Sequence, residues 1–200
     1  IIAVALFSFG IFLGFIAKGY VEKTSIKLQD SIRTQILTIE TLNLLENEFP
    51  CNSKTLDITS EKLDYLGELV TLLENKKGKN DEETLELKKL YTDLEVRHMI
   101  FVKNRNKNCG QNYTIFLYFY SNNEECNDKN EDVSAILTYL RRKYDYVKIY
   151  SFDNNLDSDI IKILKEKFNT SGCNSIIYND KNINFVPKNS RDLEDYMKKN

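Results

Sequence analysis

The chain has 200 residues, with 28 Lys and Arg against 30 Asp and Glu, for a formal net charge of −2. Mixed-sign, near-neutral surface lacks the basic face of a nucleic-acid binder, so no nucleic-acid partner is expected. Two prolines and seven glycines argue against long flexible linkers, and the length suits one medium domain or a helical module with a small α/β domain.

Residues 1–17, IIAVALFSFGIFLGFIA, carry no charge. Such a run is at the short end of what crosses a bilayer. Phe15-Ile16-Ala17-Lys18 lacks the small-residue cleavage pattern of a secretory leader. A transmembrane signal anchor over 1–19 is therefore expected, with the lipid bilayer as partner through residues 1–17. Gly10 and Gly14 form a G-x-x-x-G pair, a spacing that permits close helix contact. Lys18, Lys23 and Lys27 alone would place the rest of the chain in the cytoplasm; the cysteines argue the opposite.

From Tyr20 to about Phe49, Leu28, Ile32, Ile36, Ile39 and Leu42 recur at helical steps and share one face. This predicts a stalk helix over 20–50, which either packs on later helices or pairs with a second copy, the route to a homo-oligomer. Pro50 stops it. The region 51–110 reads as a helical hairpin. One helix spans about Ser60 to Asn75, with Leu63, Leu66, Val70 and Leu73 on one side, and the other about Asp81 to Lys103, with Leu87, Leu90, Leu94 and Phe101. Asp81 suits an N-cap, and Glu82 and Glu83 suit the positive end of the dipole.

At 111–200 the texture changes. Tyr113 to Tyr120, YTIFLYFY, reads as a strand buried on both faces. Further elements follow: a helix from about Asp132 to Tyr144, a strand at Val147–Phe152, a helix at Ser158–Phe168, and a strand at Ser175–Tyr178. A turn at Asp180-Lys181-Asn182, a strand at Ile183–Val186 and a helix at Arg191–Lys198 complete the series. The order is β-α-β-α-β-β-α. The two β-α-β steps predict parallel pairing, and the turn predicts an antiparallel edge.

That order resembles the thioredoxin fold core, and the whole chain resembles membrane-tethered thioredoxin-like proteins. Two local matches carry the resemblance: Phe119-Tyr120-Ser121 followed by Cys126-Asn127-Asp128-Lys129 at the C-x-x-C position, and Thr170-Ser171-Gly172-Cys173-Asn174 before an apolar run at the cis-proline loop. Both motifs depart from the family. Lys129 replaces the second cysteine, and Asn174 replaces the proline, where a cis peptide would cost roughly 3 kcal/mol. The resemblance implies that Cys173 lies beside Cys126. Together they are a structural bridge, a rearranged redox pair, or two separate thiols. Catalysis, if present, would rest on Cys126 and Cys173.

Cys51 precedes the first hairpin helix and Cys109 follows the second, so an antiparallel hairpin brings them to one end. Pairing 51–109 and 126–173 leaves no cysteine over, which suits an oxidising compartment. The expected location is therefore a single-pass cell-membrane protein with its soluble part extracytoplasmic. The sequons Asn112-Tyr113-Thr114 and Asn169-Thr170-Ser171 are compatible with that side. One histidine and no C-x-x-C pair make zinc a poor candidate, and no cofactor is expected. His98 reads as a helix-surface residue. Glu124 and Glu125 beside Cys126 oppose a thiolate, while Lys129 would favour one.

Three functions are compatible with this pattern. The first is a non-catalytic extracytoplasmic domain that binds or scaffolds an unknown protein partner. The second is a thiol-disulfide oxidoreductase or isomerase using Cys126, with or without Cys173. The third is a structural subunit of a membrane assembly.

Overall fold

The computed structural model describes residues 30–46 and 48–199. Its first element, α1, is helical over 30–46 and places Ile32 and Ile36 beside the fully buried Ile39. It lies on the helices that follow: Lys62 Nζ donates to Gln35 Oε1 at 2.7 Å, and Arg105 Nη1 to Glu46 Oε1 at 2.7 Å. Among the described residues no helix is long and apolar enough to cross a membrane. The described chain is a mixed α/β domain, which corrects the expectation of a membrane-anchored, signal-anchored one. The segment 1–19, on which the anchor was placed, lies outside the described residues, as does Leu28.

After Pro50, Cys51 takes a left-handed backbone (φ 68), and Asn52 caps α2 (Ser53–Lys77) by accepting from Lys54 N. Helix α2 starts earlier than its apolar periodicity indicates because Thr55 and Leu56 are already buried in its first turn. Asp81 accepts from Thr84 N at 3.1 Å and caps α3 (Glu82–Cys109). Helix α3 runs past Lys103 to Cys109 because Arg105, 1 % exposed, is held between α1 and the start of α2. Left-handed Gly110 (φ 64) ends it. Of the stripe expected on α3, Leu87, Leu94 and Phe101 are buried, whereas Leu90 is exposed.

The remaining elements are β1 (Thr114–Tyr120), a 3₁₀ turn (Glu124–Cys126), α4 (Asn127–Lys143), β2 (Val147–Asp153), α5 (Asp159–Phe168), β3 (Asn174–Tyr178), β4 (Lys181–Asn182) and α6 (Ser190–Lys199). The sheet order is β2-β1-β3-β4. Its period-two alternation builds two cores. Ile115, Leu117, Phe119, Tyr150, Phe152 and Ile177 face the hairpin and α5. Phe116, Tyr118, Val147, Ile176 and Tyr178 face α4 and α6. The hairpin thus shares a core with the sheet.

Two strand expectations are corrected, the parallel pairing at the second β-α-β step and the position of the fourth strand. Strand β1 pairs with β2 in parallel, but β3 runs antiparallel to β1, with Asn174 opposite Tyr120. The entry to β3 is pinned at the C-terminal end of β1: Ser121 N donates to Cys173 O at 2.9 Å, and Cys173 is bridged to Cys126. From there the strand can only run back. The fourth strand is two residues, Lys181–Asn182, not Ile183–Val186. Asn179 and Asp180, both at positive φ (44 and 69), make the tight turn, and Asn184 (φ 54) breaks the extended run.

Gly67 lies inside α2, where glycine costs about 1 kcal/mol relative to alanine. A Cβ there would sit 2.9 Å from the Tyr91 hydroxyl of α3, so the missing side chain makes room for that ring. Gly67→Ala is expected to destabilise by about 1 kcal/mol and to become neutral or stabilising in a Tyr91→Phe background. Denaturant titration of the four-protein cycle measures this; stabilisation by Gly67→Ala alone would refute the close-approach account.

Candidate functional site

All four cysteines are joined, and none is free. Cys51–Cys109 ties the start of α2 to the end of α3, with Cα atoms 5.5 Å apart. Cys51 N also donates to Glu46 Oε1 at 2.9 Å, and Arg105 Nη1 donates to both that oxygen and Asn52 O. Cys126–Cys173 ties the start of α4 to the loop before β3, with Cα atoms 5.1 Å apart. Cys126 is 2 % exposed, and Cys173 is half-buried. Lys129, Glu124 and Glu125 are exposed around it, and the described residues contain no cis peptide bond.

A second cluster gave no motif signal. At the C-terminal end of β2, Asp153 lies 2.6 Å from Lys88 Nζ, which is 2.8 Å from Glu74 Oε1. Lys88 is 4 % exposed. Burial works against its charge, but hydrogen bonds to Asp153 and Glu74 outweigh that and hold its pKa above the ordinary lysine value. Asn122 also donates to Asp153, and the Tyr120 ring lies 5.8 Å from Lys88 Nζ. This cluster fastens α2 and α3 to the carboxyl ends of β1 and β2.

Two turns further along α3, Glu95 accepts from Ser151 N at 3.0 Å, while its Oε2 is buried without a partner among the described residues. Desolvation raises its pKa to about 8, partly countered by the Ser151 N–H and Tyr91. One turn beyond, His98 is 2 % exposed, with Nδ1 2.8 Å from the Tyr150 hydroxyl and Nε2 3.2 Å from Ser60 Oγ. This corrects the helix-surface placement: His98 faces the sheet. Burial lowers its pKa to about 3, so it stays neutral and is a poor general base. Lys88, Glu95 and Arg105 occupy buried positions on α3, the first two seven residues apart. That spacing is the signal sequence reading passed over, because charged residues are normally assigned to the solvent face.

Between α2 and β2 runs a groove of two adjoining cavities of about 710 and 500 Å³. Residues 147–150 line the first, Ser151 and Asp153 the second, and α2 supplies the facing wall from Leu56 to Glu74. Arg141 and Asp64, 2.8 Å apart, line both and bridge the groove. Among the described residues no group of His, Cys, Asp and Glu side chains is placed to hold a metal ion.

No protein-family model, curated protein or solved structure matches the chain. None of these comparisons supports the resemblance to membrane-anchored thioredoxin-like proteins with a degenerate C-x-x-C motif. What the fold and site define is a class: a mixed α/β domain, braced by two disulfides, with an open groove beside its edge strand.

Proposed function

We propose that the chain is a non-enzymatic binding domain of an oxidising, extracytoplasmic compartment, where it holds a protein partner. The observation that carries this reading is that both disulfides together take up every cysteine, leaving no thiol to attack a substrate. Cys126 is closed to solvent, and His98 is neutral and buried among the sheet residues. The bridges instead brace the two ends of the helical hairpin and the entry to β3.

The proximity of Cys126 to Cys173 favours one competing reading, a thiol-disulfide oxidoreductase working through that bridge. Non-reducing peptide mapping of alkylated protein, with an insulin-reduction assay on wild type and Cys126→Ser, separates the two. The binding reading expects both linked peptides, no alkylated cysteine and no insulin reduction by either protein. Turnover that disappears in Cys126→Ser would overturn it in favour of the oxidoreductase.

A further inference from the structure

The sheet has two unlike edges. Strand β4 is cut to two residues, followed by left-handed Asn184 and then Pro187, which blunts pairing on that side. Strand β2, at the other edge, is seven residues long, contains no proline, and stays in unbroken register with β1. Thr114 N donates to Tyr146 O, and Asn154 N donates to Tyr120 O, so even-numbered residues of β2 point at β1. Residues 147, 149, 151 and 153 therefore turn their N–H and C=O groups outward. The Val147 N–H is taken by Tyr144 O and the Ser151 N–H by Glu95 Oε1. The outward groups of Ile149 between them have no such partner among the described residues.

This edge opens into the groove on either side of the Arg141–Asp64 ion pair. The walls carry Asp57, Glu68 and Asp145, three exposed carboxylates that form no ion pair among the described residues. Lys148 is the one lining cation without an ion pair among the described residues, lying 5.3 Å over the Tyr113 ring. Arg141 and Lys88 are already matched by Asp64, Glu74 and Asp153. The field of the groove is thus negative, and Tyr146, 45 % exposed, adds an aromatic ring to its lining.

We infer that the groove between α2 and the edge of β2 binds an extended, Lys- or Arg-rich segment of a partner polypeptide, added to the sheet as a strand beside β2. Main-chain bonds to Ile149 supply the register, and the carboxylates select the charge. The inference rests on the binding-domain reading and names the chemistry of the partner.

Two blocked seven-residue peptides of alternating valine, one with lysine and one with glutamate at the other positions, are the probes. Amide exchange is followed by NMR in the full, non-reduced chain. The lysine peptide should slow exchange at Ile149 by about tenfold or more, bind more weakly as salt rises, and outcompete the glutamate peptide. The triple variant Asp57→Asn, Glu68→Gln, Asp145→Asn should bind it roughly tenfold more weakly with an unchanged circular dichroism spectrum. Equal binding of both peptides, full binding by the triple variant, or no protection at Ile149 at millimolar lysine peptide would each overturn the inference. Those failures would leave the cysteine mapping and insulin results standing, so the broader reading is judged separately.

Discussion

Replacing both Cys51 and Cys109 by serine should lower the stability of the chain by about 4 kcal/mol in the chain-entropy model. The bridge closes a loop with a sequence separation of 58 residues, so its removal returns a large conformational freedom to the unfolded chain. For a domain of this size the melting temperature should fall by roughly 8–16 °C. The native contacts at that end, Arg105 to Glu46 and to Asn52 O, persist in the variant, so its circular dichroism spectrum should remain that of the folded protein. Thermal and denaturant unfolding of wild type and double variant measure the difference. A loss below about 1 kcal/mol would mean that the Arg105 contacts alone secure the hairpin, or that the unfolded chain is already compact there.

Glu95 should make the protein lose stability as pH rises through neutrality, against the usual behaviour of a carboxylate. Its folded-state pKa is raised from 4.5 to about 8, so the folded state holds a proton that the unfolded state releases. The stabilisation this represents is complete below pH 4.5 and is lost as pH climbs to about 8. Each pH unit separating the folded and unfolded pKa values is worth about 1.4 kcal/mol, so the loss over that window is roughly 5 kcal/mol. Glu95→Gln keeps an oxygen for the Ser151 N–H and cannot ionise. It should therefore match wild type near pH 5 and be the more stable protein near pH 8.5. Urea titrations at the two pH values decide the matter, and parallel pH dependences of the two proteins would remove Glu95 as the titrating group.

Both effects arise where α3 meets other elements, and that is also where sequence and structure part company. The amino-acid order by itself determined the local pieces. The run Tyr113 to Tyr120 could only be a doubly buried strand, and Thr114–Tyr120 is one. Asp81 caps α3 through a side-chain acceptor. Leu63, Leu66, Val70 and Leu73 mark the buried face of α2. Such features depend on neighbours within one or two turns, and local propensity and periodicity report them directly.

The direction of β3 was decided only in three dimensions, because it follows from where Cys173 and Ser121 meet and not from any property of residues 174–178. The same holds for the interior charges. Lys88 and Asp153 are 65 residues apart in the chain, and Glu95 finds Ser151 across 56. A lysine, a glutamate and a histidine on a helix read as solvent-facing until their partners are known, since burial of such groups is tolerated only when another element supplies the matching atom. The groove between α2 and β2 has the same origin: each wall is legible alone, but their separation is set by the packing of the hairpin on the sheet.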